Sequence, residues 1–228
     1  METISKISLA FTQGGMWMWV ILGLQIVSTA IILERLFYLY RRRSMGEMEF
    51  VNQFEQMVRK GDLDAALAEA QKHESRHPLA RVAEAGIKSA LNLGGRDEIQ
   101  GKMDEVLLDE NGKLERRTPF LAMLANVGTL TGLLGTIVGM IKSFSAVSEA
   151  TPVEKAALLS SGISEAMNTT AYGLIMAIPA LIMFAVLTNR SHRLADDLNQ
   201  SALRLFNWLS FAYEPVTARP VRADQRPL

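Results

Sequence analysis

Residues 166–189 read AMNTTAYGLIMAIPALIMFAVLTN, 24 consecutive positions without a charged side chain. A bilayer core is crossed by about 20 apolar residues of helix, so this run reads as a membrane span. Two further runs match it: Ile7 to Leu33, 27 residues, and Thr118 to Ile141, another 24. Three such windows in 228 residues predict an all-α protein with three transmembrane helices and long helical extensions, not a soluble globule. The 24 Lys and Arg balance 24 Asp and Glu, so no net charge draws the chain toward nucleic acid. The sequence has no cysteine, which excludes a disulfide scaffold, a thiolate zinc site and thiol catalysis.

The first window differs from a secretory signal. Its start carries Glu2 and Lys6, its small-residue run Ser28-Thr29-Ala30 lies inside the apolar stretch, and it ends on Arg41-Arg42-Arg43, a stop-transfer pattern. Trp17 and Trp19 at one end and Tyr38 and Tyr40 at the other suit the two interfacial aromatic belts. Orientation follows from the cations. Fourteen Lys and Arg fall between Arg41 and Arg117 and six from Arg190 onward, against Lys6 in the N-terminal arm and Lys155 beyond the second helix. The positive-inside rule puts the two rich segments in the cytoplasm. The expected layout is an outer arm (1–15), membrane helix 1 (16–40), a cytoplasmic helical segment (41–119) and membrane helix 2 (120–144). An outer loop (145–160), membrane helix 3 (161–189), a cytoplasmic amphipathic helix (190–214) and a disordered tail (215–228) follow.

The cytoplasmic segment reads as helical throughout. Gly61-Asp62 opens a helix with Leu63, Ala66, Leu67 and Ala70 on one face, and His77-Pro78 ends it. A second carries Val82, Ala83, Ile87 and Leu91 up to Gly94-Gly95. A third, from about Asp97 to Arg116, feeds the second membrane helix with a step at Pro119. His73 and His77 have helical ligand spacing, but Pro78 follows at once and no third ligand is near, so they read as a solvated helix end and no metal is expected. The helix after Asn189 has Leu194, Leu198, Ala202, Leu205 and Leu209 on one stripe.

Membrane helices 2 and 3 carry the chemistry. Gly128, Gly132, Gly135 and Gly139 form a stripe of small residues that lets helices approach closely, and with the amphipathic cytoplasmic helices it is expected to join subunits. Thr129 and Thr136 share a face; such hydroxyls on their own more often bond their own backbone. In helix 3, Glu165 is the one charge between Lys155 and Arg190. A carboxylate there costs several kcal/mol and marks a functional site, unless it lies solvated at the outer interface. Ser161, Ser164, Asn168, Thr169 and Tyr172 sit around it as a polar stripe, while Thr170 is turned toward another surface, a lumen or a neighbouring helix. Pro179 is placed to kink the helix and free a carbonyl.

These runs resemble a known family. Gly132-Leu-Leu-Gly-Thr136 with Val138-Gly139-Met140 resembles the second-helix motif of the MotA/TolQ/ExbB proton channels. Gly162-Ile-Ser-Glu165-Ala-Met-Asn-Thr-Thr170-Ala-Tyr-Gly173 followed by Ala177-Ile-Pro179 resembles the third, and Glu34-Arg35 fits the inner end of the first. Three membrane helices favour the ExbB/TolQ branch, since the flagellar MotA type has four. The resemblance implies a bacterial inner-membrane motor or stator subunit, N-terminus periplasmic and C-terminus cytoplasmic, with no cofactor. It would form a homopentamer around the membrane helices of a dimeric ExbD/TolR-like partner that carries an Asp. Glu165 would be the acidic residue of the channel subunit, with Thr136, Thr170, Asn168 and Thr169 along a path that moves a proton. Five copies around two carriers are mismatched, so the carriers differ at any moment and charge relief on one favours a rotational step. One charge crossing 100 mV supplies roughly 2.3 kcal/mol for it. Where the family often has Ala-Pro ahead of the glycine motif, this chain has Gly128-Thr129, which leaves helix shape and ion choice open. A sodium-driven member and a non-conducting scaffold of the same fold are the alternatives. An enzyme is not expected, for no nucleophile–base pair is visible. The work powered, whether uptake, envelope maintenance or gliding, is not written in these residues.

The orientation has a direct test. A cysteine introduced at Ser148 should react with a membrane-impermeant maleimide added outside, and one at Ser75 only after permeabilisation; the reverse pattern inverts the topology.

Overall fold

In the computed structural model, residues 15–41, 47–73, 77–92, 95–149 and 151–213 are described. The N-terminal arm before residue 15 and the tail after 213 lie outside them. The described residues form seven helices and no strand: α1 (Gly15–Arg41), α2 (Glu47–Arg59), α3 (Leu63–His73), α4 (Pro78–Leu91), α5 (Arg96–Glu115), α6 (Thr118–Glu149) and α7 (Pro152–Tyr213). Three stretches are long and apolar enough to cross a membrane, within 15–40, 96–148 and 153–210.

The helix ends follow from local chemistry. Asp62 caps α3, its Oδ1 accepting from the Ala65 N–H at 3.1 Å, and Pro78 begins α4 where a missing N–H costs nothing. The step between α5 and α6 falls just before its expected place at Pro119. Arg117 adopts a left-handed φ of 68°, at a cost of roughly 1–2 kcal/mol for a residue with a Cβ, and Pro119 occupies the first turn of α6. Arg117 then pairs with Glu34 of α1, so the residue that bends the chain also ties α6 to the first helix.

Two regions differ from the sequence reading. The connection expected over 145–160 is helical at both ends, α6 running to Glu149 and α7 starting at Pro152. The cause is a side-chain cap at the start of α7: the Thr151 N–H and hydroxyl both donate to Glu154 Oε2, at 3.2 and 2.6 Å, with Pro152 at the first helical position. The third membrane helix and the amphipathic helix after it are also one element, the 62-residue α7, which continues through Pro179.

The chain divides into two compact units. One comprises α2 to α5 with the end of α7. Its core takes Val51, Phe54 and Val58 from α2, Leu63, Ala66 and Ala70 from α3, and Leu79, Val82, Ala83 and Ile87 from α4. Ile99 and Met103 of α5 join it, with Leu198, Ala202, Leu205 and Leu209 of α7 from the stripe read in the sequence. Helix α2 was not resolved as a separate element by that reading, although Val51, Phe54 and Val58 sit at helical spacing. Within this unit Glu110 is buried, its Oε1 accepting from Arg81 Nη1 at 3.0 Å and Lys113 Nζ at 2.7 Å. A buried carboxylate persists only with such partners.

The other unit holds α1, α6 and the first part of α7. Here the glycine stripe of α6 corrects an expectation: it is consumed inside the chain, against α7, and does not face outward to join copies. A Cβ on Gly132 would lie 3.2 Å from the Thr169 carbonyl oxygen and 3.3 Å from the Cα atoms of Thr170 and Gly173. Gly135 accommodates the Thr169 methyl, Gly139 faces Ala166 and Gly128 faces Met176. Helix α7 answers with Gly173 against the Gly128 carbonyl and Gly162 against Ser143. Partners descend α7 as residues ascend α6, so the two helices are antiparallel.

Gly132→Ala puts a methyl against three backbone atoms that cannot rotate away, and should cost about 1–3 kcal/mol by overpacking. Gly112→Ala, in open space within α5, should instead stabilise by roughly 0.5–1 kcal/mol. Thermal unfolding in detergent followed by circular dichroism should move the two variants in opposite directions.

Candidate functional site

The close approach at Gly132 places the motif hydroxyls face to face. Thr136 Oγ1 of α6 and Thr170 Oγ1 of α7 are in direct contact. Thr136 Oγ1 is 3.1 Å from the Ala166 carbonyl oxygen and 3.2 Å from that of Gly132, and Thr170 Oγ1 is 3.1 Å from the Gly132 carbonyl. Thr170 therefore faces the neighbouring helix, one of the two surfaces its rotation from Glu165 allowed.

Counting protons defines what the pair can do. Two hydroxyls bring two protons to two carbonyls and to each other. Were both protons on carbonyls, the touching oxygens would oppose lone pairs, so one hydroxyl must donate to the other. In one arrangement Thr136 donates to Thr170 and Thr170 to the Gly132 carbonyl. In the other Thr170 donates to Thr136 and Thr136 to the Ala166 carbonyl. The number of bonds is the same in both, so the direction of the chain reverses without a lost hydrogen bond.

The remaining predicted residues separate. Thr169 is buried, donates its hydroxyl to the Glu165 carbonyl at 2.8 Å and packs its methyl on Gly135. Thr129 bonds the Ala125 carbonyl at 3.0 Å, the local role expected of a single threonine in a helix. Asn168 is half-buried on α7, while Ser161 and Ser164 are exposed. Tyr172 turns to α1, where its hydroxyl donates to Gln25 Oε1. Gln25 was not singled out from the sequence, although it is the one amide between Met16 and Leu33 and so the visible polar mark of α1. Glu165 is half-buried, its carboxylate against Gly15 at the start of α1. No group of three potential metal ligands occurs among the described residues.

Beyond this contact zone α6 and α7 are apolar and exposed. Leu130, Leu133, Leu134, Ile137 and Ile141 of α6 and Met167, Ile175, Ile178 and Ile182 of α7 present a surface that only lipid or protein covers well.

Comparison with known proteins places these residues in a family. The model of the MotA/TolQ/ExbB proton channel family matches residues 74–200. The chain is 26% identical over 203 residues to a protein described as an ExbB homologue in Methanothermobacter thermautotrophicus, covering 87% of this chain and 68% of that one. It is 30% identical over 172 residues to an ExbB-like protein of Synechocystis, covering 74% and 79%. It is 35% identical over 112 residues to the Tol-Pal system protein TolQ of Haemophilus influenzae, covering 49% and 43%.

Because Thr136 and Thr170 bond each other, their contributions should not add. A double-mutant cycle with Thr136→Val and Thr170→Val should give a coupling of about 0.6 kcal/mol, the usual value for interhelical bonds in membranes. Thr136→Ser, which keeps the hydroxyl, should leave most of it, as read by unfolding in detergent.

Proposed function

The chain belongs to the MotA/TolQ/ExbB proton channel family, and from that premise we propose that it is the ring-forming subunit of an ion-driven motor in the cytoplasmic membrane. At the coarser level it is a multi-pass inner-membrane protein of the ExbB/TolQ-like branch, a transport-energising kind of subunit from a family of channels rather than enzymes. In our reading five copies enclose the single membrane helices of a dimeric ExbD/TolR-like partner that carries an Asp. The arm before α1 is periplasmic, and the C-terminus is cytoplasmic. The ion is a proton, delivered between the partner's Asp and the Glu165 side of α7, and mechanical work is passed to an envelope protein.

The observation that carries this reading is the hydroxyl pair. Thr136 and Thr170 are oriented by the Gly132 and Ala166 carbonyls and exchange donor and acceptor roles at no cost in bonds. That is what a relay beside a proton carrier needs: polar atoms fixed in place, with no charge of their own to trap the ion. Asn168 extends the polar surface of α7 on the Glu165 side. Thr169, buried against Gly135, supports the path by packing the helices together. The exposed apolar faces of α6 and α7 supply the contacts between copies and with lipid.

Glu165→Gln preserves shape and hydrogen bonding while removing the titration. Membranes from cells carrying it in place of the native chain should contain rings of unchanged mass by native mass spectrometry. Potential-driven proton entry into right-side-out vesicles should fall to the level of membranes lacking the chain. Entry at the native rate would make the carboxylate an interfacial anchor and leave a non-conducting scaffold as the better description.

A further inference from the structure

Gly15 occupies a position that disfavours any side chain. It opens α1 with a left-handed φ of 68°, a conformation that glycine adopts without steric cost and a residue with a Cβ does not. A Cβ built there would fall inside van der Waals distance of Glu165 Oε1, 3.2 Å from its Cδ and 3.7 Å from its Cγ. The missing side chain is thus a notch, and the occupant of the notch is the carboxyl group of α7. Backbone conformation disfavours a residue with a Cβ by roughly 1–2 kcal/mol, and the space its Cβ would need is taken by the Glu165 carboxyl group.

We propose that Gly15 is a positioning residue for Glu165, the amino end of α1 holding the carboxyl group in one rotamer and covering one side of it. The inference rests on the ion-path reading for its functional meaning, but not for its geometry. It makes α1 part of the site, where the polar motifs on α6 and α7 give no hint of it. Among the described residues, the start of α1 covers the Glu165 carboxyl group on the side of Gly15, and Glu165 is half-buried. The atom in the way is the far end of a flexible side chain, so a methyl at position 15 displaces the carboxyl group before it disturbs the helices.

Reaction of Glu165 with dicyclohexylcarbodiimide, in the full-length chain in membranes and located by peptide mass spectrometry, reads the exposure of the carboxyl group without any ion flow. Gly15→Ala excludes the rotamer that fills the notch and leaves the other staggered wells, so labelling should run about threefold faster. Gly61→Ala is the control for backbone strain alone: Gly61 has a φ of 76° with nothing within 4 Å of its added Cβ, and labelling should stay at the native rate. Glu165→Asp withdraws the carboxyl group by one methylene, so the Gly15→Ala, Glu165→Asp double variant should be labelled no faster than Glu165→Asp alone. Native-rate labelling of Gly15→Ala, or an equal rise in Gly61→Ala, would overturn the proposal. The fate of the ion-path reading is decided separately by proton entry in Glu165→Gln.

Discussion

The contact between Gly132 and the backbone of α7 sets most of what the membrane unit can do. Helix axes ordinarily stand 8–10 Å apart because side chains hold them there. Where Gly132 meets Gly173 there is no side chain on either helix, and backbone rests on backbone. One turn along α6, that proximity puts two threonine hydroxyls in direct contact and each within reach of the other helix's carbonyls. The glycines therefore do more than pack. They replace a dry apolar seam with a short polar segment whose four oxygens share two protons.

The stripe read from the sequence around Glu165 is split by the fold among three environments. Thr169 and Tyr172 are used inside the subunit, on α6 and α1. Ser161 and Ser164 are on the surface, and Glu165 with Asn168 lies between. A carboxylate in that intermediate zone is held by its own chain on one side and open on the other. In our reading the open side is where a second chain would complete the site that the hydroxyl pair begins. In that reading, closed cyclic assembly would supply the missing wall by repeating the same surface.

Much of this was legible because membrane constraints write long signals. Charge-free runs marked the three membrane helices, and the stripe through Leu198, Ala202, Leu205 and Leu209 marked the face that enters the core of α2 to α5. The spacing of the glycines announced a close approach but not its partner, since a small-residue stripe looks the same whether it meets its own chain or a copy. Gly162 and Gly173, the answering residues of α7, were the available signal. The continuous α7 was hidden by topology reasoning, which breaks helices at membrane boundaries although a backbone has no reason to break there. The start of α7 was written in Thr151-Pro152-Val153-Glu154, a side-chain cap that the polar character of the stretch obscured. Gly15 was invisible, because no sequence pattern announces a left-handed glycine beneath a carboxylate 150 residues away.

The departure at Gly128-Thr129 can now be given a physical meaning. A proline at 129 would remove an N–H from the ladder of α6 and press its ring on the Ala125 carbonyl, kinking the helix just before the glycine contacts. Thr129 does the opposite. Its N–H continues the helix, and its hydroxyl adds a second donor to the same Ala125 carbonyl at 3.0 Å. Gly173, having no side chain, lets the Gly128 carbonyl approach so closely that a Cβ on Gly173 would stand 3.0 Å from it, and Gly128 in turn makes room for Met176. The pair thus extends the close backbone contact by another turn in place of a kink. An unbroken α6 keeps the register from Gly128 to Gly139, and the register is what brings Thr136 to Thr170. The extra hydroxyl is spent within its own helix, so the polar chemistry of α6 is concentrated one turn after Gly132, at the residue that meets its counterpart on α7.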